Sequence, residues 1–141
     1  MITILGPTAC GKTALAVKVA AMTGGEIISA DSRQVYRGMD IGTGKDLSEY
    51  IVDGKAIPYH LIDIEDAGQK YNLFRFQEDF NAAYEDITRR GVLPILCGGT
   101  GLYMEAVLKG YAPINKYTHT CTHTVVSQYT WGIASRTPHR Y

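Results

Sequence analysis

The stretch Gly6-Pro7-Thr8-Ala9-Cys10-Gly11-Lys12-Thr13 decides the fold of this 141-residue chain. It matches the pattern G-x-x-x-x-G-K-[ST] and lies between a short apolar run, Ile2–Leu5, and a segment of helical composition, Lys12–Met22. In that context the glycines let successive backbone N–H groups surround one phosphate group, and the helix N-terminus and Lys12 add positive charge. The Thr13 hydroxyl is then a ligand for Mg²⁺. The stretch therefore predicts a loop that binds a di- or triphosphate.

Strands and helices alternate from this loop through residue 113. We predict strands at Ile2–Leu5, Glu26–Ser29, Tyr59–Ile64 and Val92–Cys97, and helices at Lys12–Met22, after Asn72, and at Leu102–Lys109. The second helix has Phe76, Phe80, Ala83, Tyr84 and Ile87 at helical spacing, and the first has Leu15, Val19 and Met22 on one face. Glycines 24, 91 and 110 end the helices, and residues 37–58 read as a long loop. The pattern predicts an α/β fold, a P-loop NTPase-like parallel sheet flanked by helices.

Residues 114–141 break this alternation. They contain six of the thirteen threonines and three of the four histidines, no acidic residue, and no helical period. We divide the chain into a partial core, 1–113, and an atypical tail, 114–141, and expect a disordered or frame-shifted tail rather than a strand near Thr124–Tyr129. An incomplete sheet of this kind would leave one edge of the first strand unpaired.

Composition excludes several classes of protein. No apolar run approaches the roughly 20 residues that span a bilayer, and no signal peptide is visible at the N-terminus. Three well-separated cysteines favour a reduced, cytoplasmic chain over a disulfide framework. Residues 1–113 hold eleven basic and fourteen acidic residues, a net charge of −3, so non-specific binding to nucleic acid is disfavoured.

Asp31 directly follows the second predicted strand, at the same edge of the sheet as the phosphate loop. Ligands of open α/β sheets gather outside the carboxyl ends of the strands, so we expect Asp31 and Thr100 beside the phosphate site. The buried run Val92–Cys97 ends in Cys-Gly-Gly instead of the aspartate typical of P-loop ATPases, and Asp63 lies within a strand pattern. On spacing alone, Asp31 is also compatible with a helix cap or a turn.

Four motifs together resemble one family. GPTACGKT, EIISADSRQVYRGMDIGTGK, PYHLIDI and GVLPILCGGTGLYMEAVLKG look like the N-terminal half of the tRNA dimethylallyltransferases, in the order of that family. The resemblance implies transfer of a dimethylallyl group from dimethylallyl diphosphate to N6 of adenosine 37, beside the tRNA anticodon, with Mg²⁺ on the donor diphosphate.

The resemblance also implies roles for individual residues. Residues 6–13 would bind the diphosphate, with Lys12 and Mg²⁺-bound Thr13 stabilising the leaving group, and Thr8 against the donor and the adenine. Asp31 would be the catalytic base. The residues implied in tRNA contact are Asp31, Ser32, Arg33, Gln34 and Thr100. Cys10 stands where the family usually has serine or alanine, and places a thiol beside an anion site.

Other functions compete with this reading. The same loop would serve a small-molecule kinase that uses ATP, an adenylate isopentenyltransferase, or an inactive phosphate-binding remnant. Because nothing after Pro113 resembles the continuation of the family, we expect the 141-residue chain alone to fold marginally and to have little or no transferase activity.

Overall fold

Five parallel strands form the sheet that organises the protein. The computed structural model describes residues 1–7, 9–43 and 45–109, and the backbone of 123–126. Its strands are β1 Ile2–Leu5, β2 Glu26–Ser29, β3 Ile51–Val52, β4 Lys55–Ala56, β5 Tyr59–His60, β6 Pro94–Gly98 and β7 His123–Val126. The order across the sheet is β5-β2-β6-β1-β7, and β3 and β4 form a separate antiparallel pair. Strands β2 and β6 are buried along their whole length, which explains the near-continuous apolar sequence of β6, whereas β2 also buries Glu26 and Ser29 at its two ends.

In the described part of the chain, three α-helices cover the two faces of the sheet: α1 Lys12–Thr23, α2 Leu73–Arg89 and α3 Gly101–Lys109. One core cluster contains the buried side of α1 with Ile4, Ile27 and Ile95 of the strands. The other contains buried side chains of α2 and α3 with Ile28 and Leu96. Neighbouring strand residues thus point to opposite faces, and the predicted α/β architecture is confirmed.

The predicted helix boundaries agree with local chemistry, but the predicted face of α1 is wrong in part. The Asn72 side chain accepts a hydrogen bond from the Arg75 N–H at 2.9 Å and caps α2, and Gly24 ends α1 in the left-handed conformation. On α1 the buried residues are Ala16, Val17 and Ala20, whereas Met22 is 87% exposed. Small side chains let this helix lie close to the sheet, so the largest apolar residue does not mark the buried side.

Two further segments differ from the expectation. The strand predicted for Tyr59–Ile64 ends at His60, because Leu61 and Asp63 adopt φ of 64° and 54°, which a strand excludes. Residues 37–58, expected to be a loop, include a short 3₁₀-helix at Leu47–Tyr50 and the β3–β4 pair. The hairpin turn uses left-handed backbone at Asp53 and Gly54.

The strand that carries the phosphate loop is paired on both sides. Strand β1 lies between β6 and β7, with Ile2 opposite both Ile95 and His123. The unpaired edge expected for β1 is therefore wrong. The sequence favoured disorder over a strand near Thr124–Tyr129, and this expectation is wrong for His123–Val126, which form a strand in the described backbone. The rest of the predicted tail lies outside the described residues.

Gly98 ends β6 where the backbone of Ala30 leaves no room for a side chain. A Cβ atom built on Gly98 would lie 2.4 Å from the Ala30 carbonyl oxygen, whereas one built on Gly101 meets nothing within 4 Å. We expect Gly98→Ala to lower the free energy of unfolding by about 3 kcal/mol, since β2 and β6 must separate. Gly101→Ala, at the start of α3, is the control and should be neutral or slightly stabilising. Urea unfolding measures both, and equal stabilities of the two variants would contradict this packing.

A buried carboxylate ties the start of β2 to the end of α2. Glu26 accepts hydrogen bonds from both Arg90 guanidinium nitrogens at 2.6 and 2.8 Å, and from His60 Nε2 at 2.8 Å. These contacts hold the pKa of Glu26 at about 2, although burial acts to raise it. The hydrogen bonds from Arg90 are the largest cause, and the hydrogen bond from His60 contributes less.

We expect this carboxylate to make stability depend on acid pH. A depressed folded-state pKa contributes stability above the usual value of 4.5, and this contribution disappears as pH falls from 4.5 toward about 2. Glu26→Gln should therefore lower the free energy of unfolding by about 1–2 kcal/mol at neutral pH and by much less near pH 2. The loss at neutral pH is limited because solvent around Arg90 screens the ion pair. Unfolding measured across this pH range tests the expectation, and a pH-independent difference between the two proteins would contradict it.

Candidate functional site

The phosphate loop wraps the end of β1 and leads into α1. Ala9 and Gly11 adopt φ of 60° and 80°, which turns the chain toward the helix, and residues 9–13 line a cavity of about 420 Å³. The Lys12 ammonium donates to the Pro7 carbonyl and lies 3.9 Å from Cys10 Sγ. It also lies over Gly99, where an added Cβ would be 3.6 Å from Lys12 Nζ. The loop thus holds a cation and a helix N-terminus at one end of the cavity.

Asp31 faces the same cavity from the carboxyl end of β2, which β6 separates from β1. Its Oδ1 atom accepts a hydrogen bond from the Arg33 backbone N–H at 2.9 Å, and its carboxylate pairs with the Arg33 guanidinium at 3.3 Å. The Asp31 side chain is 15% exposed and that of Arg33 is 46% exposed, so the pair lies at the cavity surface. Pairing with Asp31 raises the pKa of Arg33 further. Asp31 is thus held by its own turn while still lining the cavity, as the topology predicted.

Hydrogen bonds between distant segments hold the turn after Asp31. Ser32 N–H donates to Thr100 Oγ1 at 3.1 Å, and the Thr100 N–H donates to the Ala30 carbonyl at 3.3 Å. The Thr100 carbonyl accepts from Met104 N–H, so Thr100 also begins α3. Gln34 accepts from Ser29 Oγ at 3.0 Å and donates to the Thr43 carbonyl at 3.5 Å. The position of Thr100 before α3 is thus compatible with a place in the site as well.

A second wall of the cavity was missed by sequence reasoning. Its centre is Lys45, whose side chain is only 1% exposed and pairs with Asp40 at 3.0 Å and with Asp63. Lys45 Nζ also donates to the Tyr36 carbonyl at 2.8 Å. Burial acts to lower the pKa of Lys45, but the ion pairs with Asp63 and Asp40 outweigh it and raise the pKa. Asp63 is thus an ion-pair partner after β5, not a residue within a strand.

The floor of the cavity is less polar. Tyr50 and Cys97 are both buried there, and the Tyr50 ring packs against Tyr59 with 4.8 Å between ring centroids. Burial raises the pKa of Cys97 to about 12, only partly offset by Lys12, and burial also raises the pKa of Tyr50. Both groups are therefore protonated at neutral pH. The cavity combines a cationic end, a carboxylate and an uncharged floor.

The structure brings most of the sequence-predicted residues together. Those that line the cavity are Ala9, Cys10, Gly11, Lys12, Thr13, Asp31, Arg33 and Gln34. Gly6 and Pro7 contribute carbonyl groups beside Gly99 and Lys12, and Ser32 and Thr100 lie behind Asp31. Thr8 lies outside the described residues. The additional lining residues of the second wall are Asp40, Gly42, Thr43, Lys45, Asp46 and Glu49.

A divalent ion would find few protein ligands in this cavity. Among the described residues, no group of three or more His, Cys, Asp or Glu side chains is arranged to hold a metal. Mg²⁺ commonly takes only one or two protein oxygens and completes its shell with substrate phosphate and water. The Thr13 hydroxyl at the cavity wall fits that mode of binding.

The described helices include none that is long and apolar enough to cross a membrane.

Comparison with family models gives two matches. The model described as IPP transferase matches residues 34–134, and the model described as isopentenyl transferase matches residues 1–57. Among curated proteins, tRNA dimethylallyltransferase 1 of Porphyromonas gingivalis is 72% identical over 111 residues, which cover 79% of this chain. The chain spans about 37% of the length of that relative.

Solved structures give the same picture. The full-length tRNA isopentenylpyrophosphate transferase of Bacillus halodurans is 44% identical with a TM-score of 0.72, and the match covers 81% of this chain and 37% of that one. A eukaryotic dimethylallyltransferase acting on tRNA is 35% identical, also with a TM-score of 0.72, over 84% of this chain and 30% of that one. The described sheet is thus similar to the P-loop NTPase-like part of these larger enzymes.

Proposed function

Because this chain belongs to the IPP transferase family, we propose that it forms the catalytic core of a tRNA dimethylallyltransferase. The observation that carries the proposal is the shared cavity, which both Lys12 of the phosphate loop and Asp31, at the carboxyl end of β2, line. A 72% identical relative that bears this name supports the same reaction.

The cavity separates the two charges that the reaction develops. As the allylic C–O bond of the donor lengthens, negative charge grows on the leaving diphosphate, and the N–H groups of residues 9–13 with Lys12 stabilise it. Mg²⁺ held by Thr13 and diphosphate oxygens would supply additional positive charge there. The donor end of the cavity therefore works as an anion site.

Asp31 serves the acceptor. As the C–N bond forms between the allylic carbon and N6 of adenosine, that nitrogen must lose a proton, and the Asp31 carboxylate takes it. The ion pair with Arg33 orients the carboxylate, and the 46% exposed guanidinium lies where an incoming phosphate group can reach it. Ser32 and Gln34 belong to the turn after Asp31, and Thr100, before α3, accepts a hydrogen bond from that turn. We assign all three to contact with the tRNA. The buried thiol of Cys97 fits a reducing cytoplasm.

The decisive experiment measures transfer of radiolabel from dimethylallyl diphosphate to tRNA. It uses a fusion in which residues 1–109 replace the matching part of the Porphyromonas gingivalis relative, with the 141-residue chain in parallel. Transfer by the fusion supports the proposal. ATP turnover with a small acceptor would favour a kinase, and labelling of free adenine nucleotide instead of tRNA would favour an adenylate isopentenyltransferase. Protection of the 141-residue chain from heat by the diphosphate, without transfer by either protein, would identify a phosphate-binding remnant.

A further inference from the structure

A braced turn at the mouth of the cavity presents an isoleucine to solvent. The turn, residues 38–43, is called here the apical turn, and its residues Asp40, Gly42 and Thr43 line the cavity. Ile41, between Asp40 and Gly42, is 100% exposed and is not among the residues that line the described cavity. A β-branched apolar side chain is therefore held in water directly beside the opening.

The apical turn is tied down at both ends. Thr43 Oγ1 donates to the Met39 carbonyl at 2.7 Å, which closes the turn. Lys45 pairs with Asp40 at 3.0 Å and donates to the Tyr36 carbonyl, so the exposed turn is anchored to a buried ammonium group. Gly42 adopts a φ of 75°, which gives the sharp bend that follows Ile41. A fixed turn holds its apical side chain without a further loss of entropy on binding.

Exposure alone does not distinguish Ile41, since single exposed apolar residues are common on proteins. Met22 on α1 is 87% exposed and does not line the cavity. Ile51, 58% exposed, follows the cavity-lining Tyr50 but itself belongs to the β3–β4 pair and does not line the cavity. What distinguishes Ile41 is its position between two cavity-lining residues of a braced turn. Because the Ile41 side chain is fully exposed, it takes no part in the packing of the fold. Dimethylallyl diphosphate bound within the cavity would lie on the other side of the turn.

We propose that Ile41 packs against the nucleobase next to the adenosine that enters the cavity, as a wedge that stabilises the flipped-out state. The inference rests on the proposed function, because it takes an RNA loop as the acceptor. Removing a base from its stack costs a few kcal/mol, and proteins commonly offset part of that cost by inserting an apolar side chain into the gap. Arg33 and Arg37 come from the same 31–46 segment, with side chains 46% and 56% exposed. Each is paired with an aspartate, Asp31 or Asp66, and its remaining N–H groups can donate to an adjoining phosphate.

The test uses the fusion described above with Mg²⁺, inorganic pyrophosphate and an anticodon stem-loop that carries 2-aminopurine in place of the target adenosine. The fluorescence of 2-aminopurine rises when the base leaves its stack, so it reports flipping, while anisotropy of an end label reports binding. We expect Ile41→Ala to lower both the apparent affinity and the flipped fraction about tenfold, because most of the apolar contact is lost. Ile41→Leu should retain most of the signal. The matched control Ile51→Ala should equal the parent protein.

Each other outcome overturns the inference in a distinguishable way. Because Ile41 is fully exposed, its truncation should leave the unfolding transition unchanged, so a lost signal cannot be assigned to misfolding. If Ile41→Ala binds the stem-loop and flips the base as the parent protein does, the wedge is refuted. The proposal that tRNA is the acceptor would then still stand. No flipping by either the parent or Ile51→Ala would refute the acceptor and the wedge together. Weaker binding of dimethylallyl diphosphate by Ile41→Ala, without RNA, would assign Ile41 to the donor instead.

Discussion

Replacing Asp31 with alanine is expected to lower the rate of dimethylallyl transfer to tRNA about 10³-fold while leaving donor affinity unchanged. General-base catalysis contributes roughly 10²–10⁴-fold, and Asp31 is the carboxylate that lines the cavity at the carboxyl end of β2. The variant retains the phosphate loop and Lys12, so the diphosphate should still bind. Single-turnover transfer by the fusion described above measures the rate, and calorimetric titration of dimethylallyl diphosphate measures the affinity.

Glu49 provides the matched control for this substitution. It is an exposed carboxylate that lines the same cavity from the 3₁₀-helix, away from β2. Glu49→Ala should therefore keep most of the transfer rate. If Asp31→Ala retained more than about a tenth of the parental rate, or if the two variants lost activity equally, Asp31 would not be the base.

Replacing Lys12 with alanine should weaken both donor binding and transfer. Its ammonium now donates to the Pro7 carbonyl, and a bound diphosphate would exchange that neutral acceptor for a charged one. We expect donor affinity to fall about 100-fold and transfer about 10³-fold, since the developing charge of the leaving group depends more strongly on Lys12 than the ground state does. Calorimetry on the 141-residue chain and transfer by the fusion measure the two effects.

Lys18 is the control on the same helix. It is exposed on α1 and does not line the cavity, so Lys18→Ala changes the net charge equally without touching the site. Donor affinity in Lys18→Ala should match the parent within about twofold, because exposed charges at a distance are screened. Equal losses in both lysine variants would mean that overall charge, not the loop, attracts the diphosphate.

The fold was predictable from sequence where local chemistry decides it. The glycine at 24 and the asparagine at 72 act through their own backbone and side chain, and both mark the helix ends observed. The run ending at Cys97 is apolar because β6 is buried on both faces. The meeting of Asp31 with the phosphate loop followed from topology alone, since parallel strands bring their carboxyl ends to one edge.

The rest depends on contacts between distant residues. Lys45 lies in a glycine-rich segment that reads as an exposed loop, and its burial depends on pairing with Asp40 and with Asp63, eighteen residues later, and on its hydrogen bond to the Tyr36 carbonyl. Hydropathy favoured a strand through Ile64, but it carries no information about the left-handed backbone at Leu61 and Asp63. The close approach of α1 to the sheet made Ala16 and Ala20 core residues, whereas apolar size favoured Met22. The second wall of the cavity was missed because the burial of Lys45 depends on such distant contacts.

A crystal structure of the chain with a thiodiphosphate analogue of dimethylallyl diphosphate tests the central claim most directly. We predict diphosphate oxygens about 2.7–3.1 Å from the N–H groups of residues 9–13, Lys12 turned from the Pro7 carbonyl toward the ligand, and the Asp31 carboxylate facing the allylic carbon. An analogue bound elsewhere in the cavity, with Lys12 still on Pro7 and Asp31 turned away, would contradict the account.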